Sequence, residues 1–210
     1  MWFQAIKDAS AVKSGIMSIP LLLSLVIGNI LAGIAVSKIV GYAPPFMIAS
    51  SVIMSVGAGL FTTFTTETGH AKWIGYQVLF VLGLGMGMQQ GATAIQAVVA
   101  KADIPTGISF IFFAQQLGGA ICLCAGQNLL SEELIKGLRG VLPGFNSDLV
   151  LHVGATDLRT SVDPSALGPV LHAYNGALVD VFYVTIVVSC LSVLGAILVE
   201  WKNVKGKKPF

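Results

Sequence analysis

The sequence predicts an all-α integral membrane protein with about five transmembrane helices. Of its 210 residues, 55% are hydrophobic and only 10% are charged, and the mean hydropathy is +0.83. Soluble domains usually carry about 25% charged residues. The charges are also unevenly spread, and five long stretches carry none. Because a helix needs about 20 apolar residues to cross the hydrocarbon core of a bilayer, each stretch is long enough to span a membrane.

The uncharged stretches locate the five spans, which we name A to E in chain order. Span A follows Lys13, and Pro20 lies in its first turns, where a missing backbone donor is tolerated. Pro44 and Pro45 begin span B after a short connector, and Lys72 precedes span C. The predicted bounds are about 16–36, 46–64, 73–100, 108–127 and 179–199.

A long segment, about 128–178, separates spans D and E. Its polar character and length favour a partly helical external loop rather than a separate domain. The stretch "NLLSEELIKGL" in this segment is amphipathic at helical spacing. Asp163 can cap a helix that has Pro164 at its first position, and this helix would lead into span E.

The lysines of the short loops and chain ends predict the orientation, since cytoplasmic loops carry an excess of Lys and Arg. One side carries six lysines and the other carries three, when the long loop is left out. The first side carries Lys38, Lys101, Lys202, Lys205, Lys207 and Lys208, and the other carries Lys7, Lys13 and Lys72. We therefore predict a cytoplasmic C-terminal tail, 200–210, and an external N-terminus.

No pattern in the sequence predicts catalysis, a metal, a cofactor or nucleic-acid binding. The net charge of +2 is too small to indicate a nucleic acid partner. The sequence has no HExxH, GxSxG, P-loop or metal-spaced Cys/His pattern. The three cysteines lie inside apolar stretches, which predicts packing rather than a disulfide framework. Spans A to D contain no acidic residue, and span E has only Asp180 at its start, although a proton relay in a membrane usually needs an acid within a span. We predict a protein that is not an enzyme.

Glycines at regular spacing predict close helix packing. In span C, Gly83, Gly87 and Gly91 are four residues apart and fall along one ridge of a helix. Small residues of this kind let membrane helices approach closely. Span D carries Gly118 and Gly119. We predict that all five glycines are helix-packing residues.

Amide side chains inside the spans predict a polar cavity. In span C, Gln89, Thr93 and Gln96 recur on a stripe away from the glycine ridge. A polar face cannot contact lipid, because no water is there to satisfy it, so it faces another helix or a water-filled cavity. The predicted cavity residues are Asn29, Gln89, Gln90, Thr93, Gln96, Phe112, Gln115 and Gln116. The alternative is that the amides only join helices, at about 0.6–2 kcal/mol per contact.

Several segments together resemble a known family. In chain order, "WFQAIKDASAVKSGIMSIPLL", "GLGMGMQQ", "FFAQQLGGAI", "GATDLR" and "EWKNVK" are similar to fungal efflux transporters of the major facilitator superfamily. Within that family they resemble the drug:proton antiporters with fourteen spans. The resemblance implies that spans A to E are the last five helices of the C-terminal bundle. It also implies three partners, namely the lipid bilayer, a small-molecule substrate and the missing N-terminal bundle.

The loop between spans A and B resembles the cytoplasmic loop motif of the same superfamily, Gly-x-x-x-Asp-Arg-x-Gly. Gly33, Ser37, Lys38 and Gly41 would occupy its positions. Ser37 stands where the motif has an acid, and Gly41 comes one residue late.

The resemblance implies efflux of a hydrophobic or amphiphilic small molecule, such as a drug, toxin or secondary metabolite. It implies proton coupling in the full-length parent and a place in the plasma membrane. Such transporters bind at the interface of two halves and alternate access by rocking one half against the other. Five spans of one half are therefore not expected to transport alone. The alternative is a non-transporting membrane protein that assembles with, or regulates, another membrane protein.

Overall fold

The computed structural model describes residues 10–141 and 167–204, which contain helices and no strand. The α-helices are α1 Ala11–Met17, α2 Ile19–Ile34, α3 Pro44–Phe61, α4 His70–Met88, α5 Gln90–Val98, α6 Ile104–Val141 and α7 Leu167–Ile197. A π-helical segment, Ala35–Val40, continues α2, and a 3-10 turn, Lys101–Asp103, precedes α6. Within these described ranges, five helical stretches are long and apolar enough to cross a membrane, which confirms the predicted all-α membrane fold.

Prolines and one glycine set the helix ends around spans A and B. Pro20 lies in the first turn of α2 and Pro44 begins α3, where the missing N–H leaves no hydrogen bond unmade. The π-helical segment ends at Gly41, which has a φ of 79°. Only glycine adopts this left-handed conformation without steric cost. Its N–H donates to the Val36 carbonyl at 2.9 Å, which closes the last turn.

Span C is not one continuous helix. α4 ends at Met88 and α5 begins at Gln90, with Gln89 between them at φ −98° and ψ −6°. The Gln89 carbonyl accepts two hydrogen bonds from Thr93, one from the backbone N–H at 3.1 Å and one from the hydroxyl at 3.0 Å. Such a second bond from a threonine hydroxyl often bends a helix. The sequence pattern alone predicts an unbroken span here.

The helices pack in the order α2, α4, α3, α7, α6. α4 contacts both α2 and α3, and α7 contacts both α3 and α6. The short helix α5 contacts the first part of α6. α4 is therefore held between two neighbours, and α6 is held mainly by α7.

Spans D and E are longer than the sequence pattern predicts. α6 continues through the segment expected in the external loop to Val141, and α7 already begins at Leu167. The extensions pack together, since Leu134 and Leu138 lie one turn apart on α6 and join Val170 and Tyr174 of α7 in a buried cluster. This apolar contact extends both helices beyond the predicted spans. Asp163, Pro164 and the "GATDLR" segment lie outside the described residues.

The loop between spans B and C completes this cluster. Phe64 of the loop and Trp73 in the first turn of α4 are buried in it, together with Tyr174. The Asn175 side-chain amide donates to the Phe64 carbonyl at 2.8 Å, so α7 holds the loop directly.

Candidate functional site

Two of the predicted ridge glycines lie where α4 crosses α3. A Cβ atom at Gly83 would lie 2.9 Å from the backbone nitrogen of Met54 and 3.0 Å from the carbonyl oxygen of Ser50. A Cβ at Gly87 would collide with the Ser50 hydroxyl. That hydroxyl is buried and donates to the Gly83 carbonyl at 2.7 Å. α3 and α4 therefore approach each other closely at these two positions.

The other predicted packing glycines have different surroundings. A Cβ at Gly91 would lie 3.3 Å from Cδ1 of Ile111, so this position faces α6. At Gly118 and Gly119, an added Cβ would meet no described atom within 4 Å. These two glycines lie on a side of α6 that the described helices leave open.

A second set of close contacts is not among the predicted packing residues. α2 and α4 cross at Gly28 and Gly85, where a Cβ at Gly28 would lie 2.6 Å from the Leu82 carbonyl oxygen. A Cβ at Gly57 of α3 would lie 2.7 Å from Cα of Phe80. The signal in the sequence was the run of alternate glycines that includes Gly85, which puts small residues on two sides of one helix.

The predicted cavity residues lie in two environments. Gln89, Gln96, Phe112, Gln115 and Gln116 are exposed, whereas Asn29 and Thr93 are half-buried. Gln90 is the exception, with only 2% of its surface exposed. Its side-chain oxygen, Oε1, accepts no hydrogen bond from a described residue. Gln90 therefore presents a buried hydrogen-bond acceptor directly after the bend in span C.

The contact between α5 and α6 brings spans C and D together at one end. A Cβ at Gly107 would lie 2.8 Å from Cγ2 of Ile95, and Ile111 lies against Gly91. Gln115 follows Ile111 by one helical turn, so it lies on the same side of α6. The polar stripe of span C and the first glutamine of span D therefore belong to adjoining helices.

The residues of the predicted loop motif lie together at the end of span A. The Ser37 hydroxyl donates to the Gly33 carbonyl at 2.7 Å and contacts the Ile34 carbonyl at 3.3 Å. The Lys38 side chain is exposed. Gly41 is buried, and its carbonyl accepts a hydrogen bond from the backbone N–H of Val204 at 2.8 Å. The motif residues therefore contact the beginning of the C-terminal tail.

Two apolar cavities lie outside the predicted polar residues. One, of about 330 Å³, lies between α2 and α4 and reaches the π-helical segment at Ile39. The other, of about 240 Å³, lies between α6 and α7 beside Cys122. None of the eight predicted cavity residues lines either of them.

Chemical groups for catalysis are sparse in the described part of the chain. Residues 10–141 and 167–204 hold no group of three or more His, Cys, Asp or Glu side chains that could bind a metal ion. Cys122, Cys124 and Cys190 form no disulfide. Their side chains are exposed instead of packed between the described helices, which differs from the expectation.

Comparison with known proteins gives a consistent result for nearly the whole chain. No family model matches the chain, and no solved structure matches it. The MFS-type efflux pump MFS1 of Arthroderma benhamiae is 49% identical over 208 residues, which cover 99% of this chain and 39% of that protein. The MFS-type transporter VdtG of Byssochlamys spectabilis is 47% identical over 208 residues, with coverages of 99% and 37%. The efflux pump aflT of Aspergillus parasiticus is 46% identical over 209 residues, with coverages of 99% and 40%.

The match covers nearly all of this chain but less than half of each relative. The chain spans about 39% of the length of the curated relatives that it matches. The five helical stretches of the described part of the chain that could cross a membrane are consistent with the C-terminal part of such a protein. Over 99% of its length the chain is therefore similar to fungal MFS-type efflux pumps, at 46–49% identity.

Proposed function

We propose that the chain forms the last five spans of an efflux pump that exports a hydrophobic or amphiphilic small molecule, such as a drug, toxin or secondary metabolite. The observation that carries this proposal is the 46–49% identity, over almost the whole chain, to proteins named as efflux pumps. Five helices able to cross a membrane support it. We also propose that the role of the chain is transport and not catalysis.

The exposure of α6 supports a requirement for the other part of the pump. In the most apolar stretch of this helix none of the residues is buried. Phe110, Phe112 and Phe113 are each more than half exposed, and Gln115 and Gln116 follow on the same open helix. Two amides in mid-span cannot remain in contact with lipid. We therefore propose that the N-terminal bundle covers this helix and that the two parts together enclose the substrate.

The uncharged amides support a neutral or amphiphilic substrate. We propose that Gln89, Thr93 and Gln96 of span C and Gln115 and Gln116 of span D contact it, with Asn29, Gln90 and Phe112 nearby. An aromatic ring supplies apolar contact area, and the amides supply hydrogen bonds in both directions. Asp180, at the start of span E, is the one acidic residue within the predicted spans, and spans A to D carry none. We therefore propose that spans A to D contribute no proton-carrying group to the pump.

The lysine distribution supports a cytoplasmic C-terminus and an external N-terminus. We propose the plasma membrane as the location, as the resemblance to efflux transporters implies. In this orientation the loop motif of span A and the tail that contacts it both lie in the cytoplasm. The long segment between α6 and α7 then lies outside the cell.

A chimera tests the proposed function directly. The matching part of the pump MFS1 would be replaced by this chain, and export of that pump's own substrate from intact cells would be measured. We expect the chimera to export it and the chain alone to be inactive. The parent pump and the parent without its matching part serve as the two controls.

The same experiment distinguishes the proposed function from the alternative, a non-transporting membrane protein. A chimera that reaches the membrane at the parent's level, melts normally and exports nothing would contradict the proposal. If the chain then copurified with a different membrane protein from its own cells, the non-transporting role would be favoured.

A further inference from the structure

The beginning of the C-terminal tail is bonded to the loop between spans A and B. The backbone N–H of Val204 donates to the Gly41 carbonyl at 2.8 Å. α7 ends at Ile197, so residues 198–203 form the whole connection between span E and this bond. A connection of this length spans at most about 25 Å when it is fully extended. The end of span E therefore limits how far the loop between spans A and B can move away from it.

Gly41 joins the tail to the last turn of span A. Its carbonyl accepts from the tail, and its N–H donates to the Val36 carbonyl at 2.9 Å. Gly41 is buried and has a φ of 79°, a conformation that a residue with a side chain rarely adopts. A loss of the tail bond therefore acts directly on the residue that closes the helix.

The last turn of span A is irregular. The segment Ala35–Val40 is a π-helix, which is wider than an α-helix, rare, and frequent at functional sites. The Ser37 hydroxyl donates to the Gly33 carbonyl at 2.7 Å. A serine bond of this kind slightly destabilises a helix and often bends it. This turn is therefore a part of span A that can adopt a second conformation.

An apolar groove lies beside this turn. It has a volume of about 330 Å³, and the small residues Gly28, Ala32 and Ala35 line it along α2. Ile39 lies at the end of the groove and is 72% exposed, so its side chain does not fill the space. In an α-helical turn, Ile39 would follow Ala35 by four residues and lie on the same side of the helix. The groove therefore has room for the side chain that a tighter turn would direct into it.

We propose that the tail segment 198–204 is a latch that selects between two conformations of the end of span A. While Val204 is bonded to Gly41, the segment Ala35–Val40 keeps its π-helical turn and Ile39 stays outside the groove. When the bond breaks, the turn tightens to an α-helix and Ile39 packs into the groove. Burial of the isoleucine side chain offsets the lost hydrogen bond. A displacement of span E would in this way change the conformation of the loop between spans A and B, whatever substrate the protein carries.

The labelling rate of a cysteine at position 39 tests this proposal. In the full chain without native cysteines, Ile39→Cys would be treated in detergent with a water-soluble maleimide. We expect fast labelling, because this position is exposed while the latch is closed. Val204→Pro removes the N–H donor and should slow the labelling about fivefold, which is the effect of one hydrogen bond of ~1 kcal/mol.

Three matched variants isolate the cause of this change. Val204→Ala keeps the N–H donor, so the labelling rate at position 39 should stay that of the chain with Val204. Lys38→Cys, in place of Ile39→Cys, reports the neighbouring position, which has no place in the groove lining, and Val204→Pro should not slow its labelling. Ala35→Leu fills the groove, so labelling at position 39 should stay fast even with Val204→Pro. A melting curve verifies that each variant is folded.

Four results would overturn the proposal. The first is unchanged or faster labelling at position 39 in Val204→Pro. The second is an equal effect of Val204→Ala, which would indicate side-chain packing instead of the hydrogen bond. The third is equally slowed labelling at position 38, which would indicate that the whole loop becomes covered. The fourth is slow labelling that persists with Ala35→Leu, which would mean that Ile39 does not enter the groove.

Discussion

Gln90 differs from the other amides of the predicted cavity because it is almost fully buried and its side-chain oxygen has no partner among the described residues. Leaving a buried carbonyl unpaired costs about 1–3 kcal/mol. In the isolated chain this residue is therefore a source of instability. We therefore interpret the Gln90 side-chain oxygen as a hydrogen-bond acceptor for a solute or for another part of the pump. It does not join two of the described helices through a hydrogen bond.

We therefore predict that a substitution of this buried residue stabilises the isolated chain. Gln90→Met keeps the volume and removes the amide, so it should raise the free energy of unfolding of the isolated chain by about 1 kcal/mol. The measurement is the melting temperature in detergent. Gln116→Met is the matched control, because Gln116 is exposed and its substitution should leave the melting temperature unchanged. A fall in melting temperature for Gln90→Met would mean that the amide ties helices together.

The polar stripe shows what a sequence pattern can and cannot predict for single residues. The presence of amides in spans A, C and D follows directly from the sequence. Their grouping assumed a constant 100° per residue through span C, whereas Gln89, at φ −98° and ψ −6°, interrupts the regular helix between α4 and α5. That break depends on the conformation of Gln89, to whose carbonyl the Thr93 hydroxyl bonds, which no hydrophobic pattern reports. The role of the amides in a cavity stays a prediction.

At the scale of helices, the spacing of glycines in the sequence predicted which residues allow close packing, but it did not predict which helix packs against each of them. The ridge of Gly83 and Gly87 was visible in the sequence, and the structure places it against α3. The crossing of Gly28 and Gly85 was not predicted, since it requires knowing which helix lies beside α2. The helical pattern of residues 128–138 was visible in the sequence, but their continuity with span D was not predicted. Charged residues such as the Glu133–Lys136 pair at 2.6 Å favoured an external loop, whereas Leu134 and Leu138 on the other side are buried and hold the helix against α7.

Two glycine substitutions test the packing of α2 on α4. Gly28→Ala should destabilise the chain by on the order of 1–3 kcal/mol, because its Cβ would meet the rigid Leu82 backbone at 2.6 Å. Gly118→Ala should leave the stability unchanged or raise it by up to about 1 kcal/mol, because an added Cβ meets nothing there and alanine favours the helix. Thermal melting in detergent measures both.

The outcome for Gly118→Ala has a second use. An equal loss of stability in both variants would contradict the contacts described for α2 and α4. A loss that occurs only in the chimeric pump would place Gly118 at the contact with the other part of the transporter.

For the whole molecule, the five spans could be predicted because a bilayer imposes a simple length rule on apolar helices. The order of packing could not be predicted, since all five spans are apolar and nothing in their composition distinguishes their neighbours. The cluster of Phe64, Trp73, Leu138 and Tyr174 was also missed, because it joins a loop to two helix extensions that are far apart in the sequence.

The topology itself is open to a direct test. In a variant without native cysteines, Lys72→Cys and Lys101→Cys would be treated in intact cells with a membrane-impermeant maleimide. We expect labelling at position 72, which lies on the external side of the proposed orientation, and none at position 101 until the cells are opened. Labelling at position 101 alone would reverse the orientation, and labelling at both would contradict a fixed topology.

The interruption of span C at Gln89 divides one membrane span into two helices, α4 and α5, that have different neighbours. α4 packs closely between α2 and α3, with backbone contacts at Gly28, Gly57 and Gly83. The nine residues of α5 contact α6 through Gly107 and Ile111, and they also contact α3. We predict that Gln89 acts as a hinge. A displacement of α6 by the rest of a transporter would then move Gln90 and Gln96 more than the residues of α4.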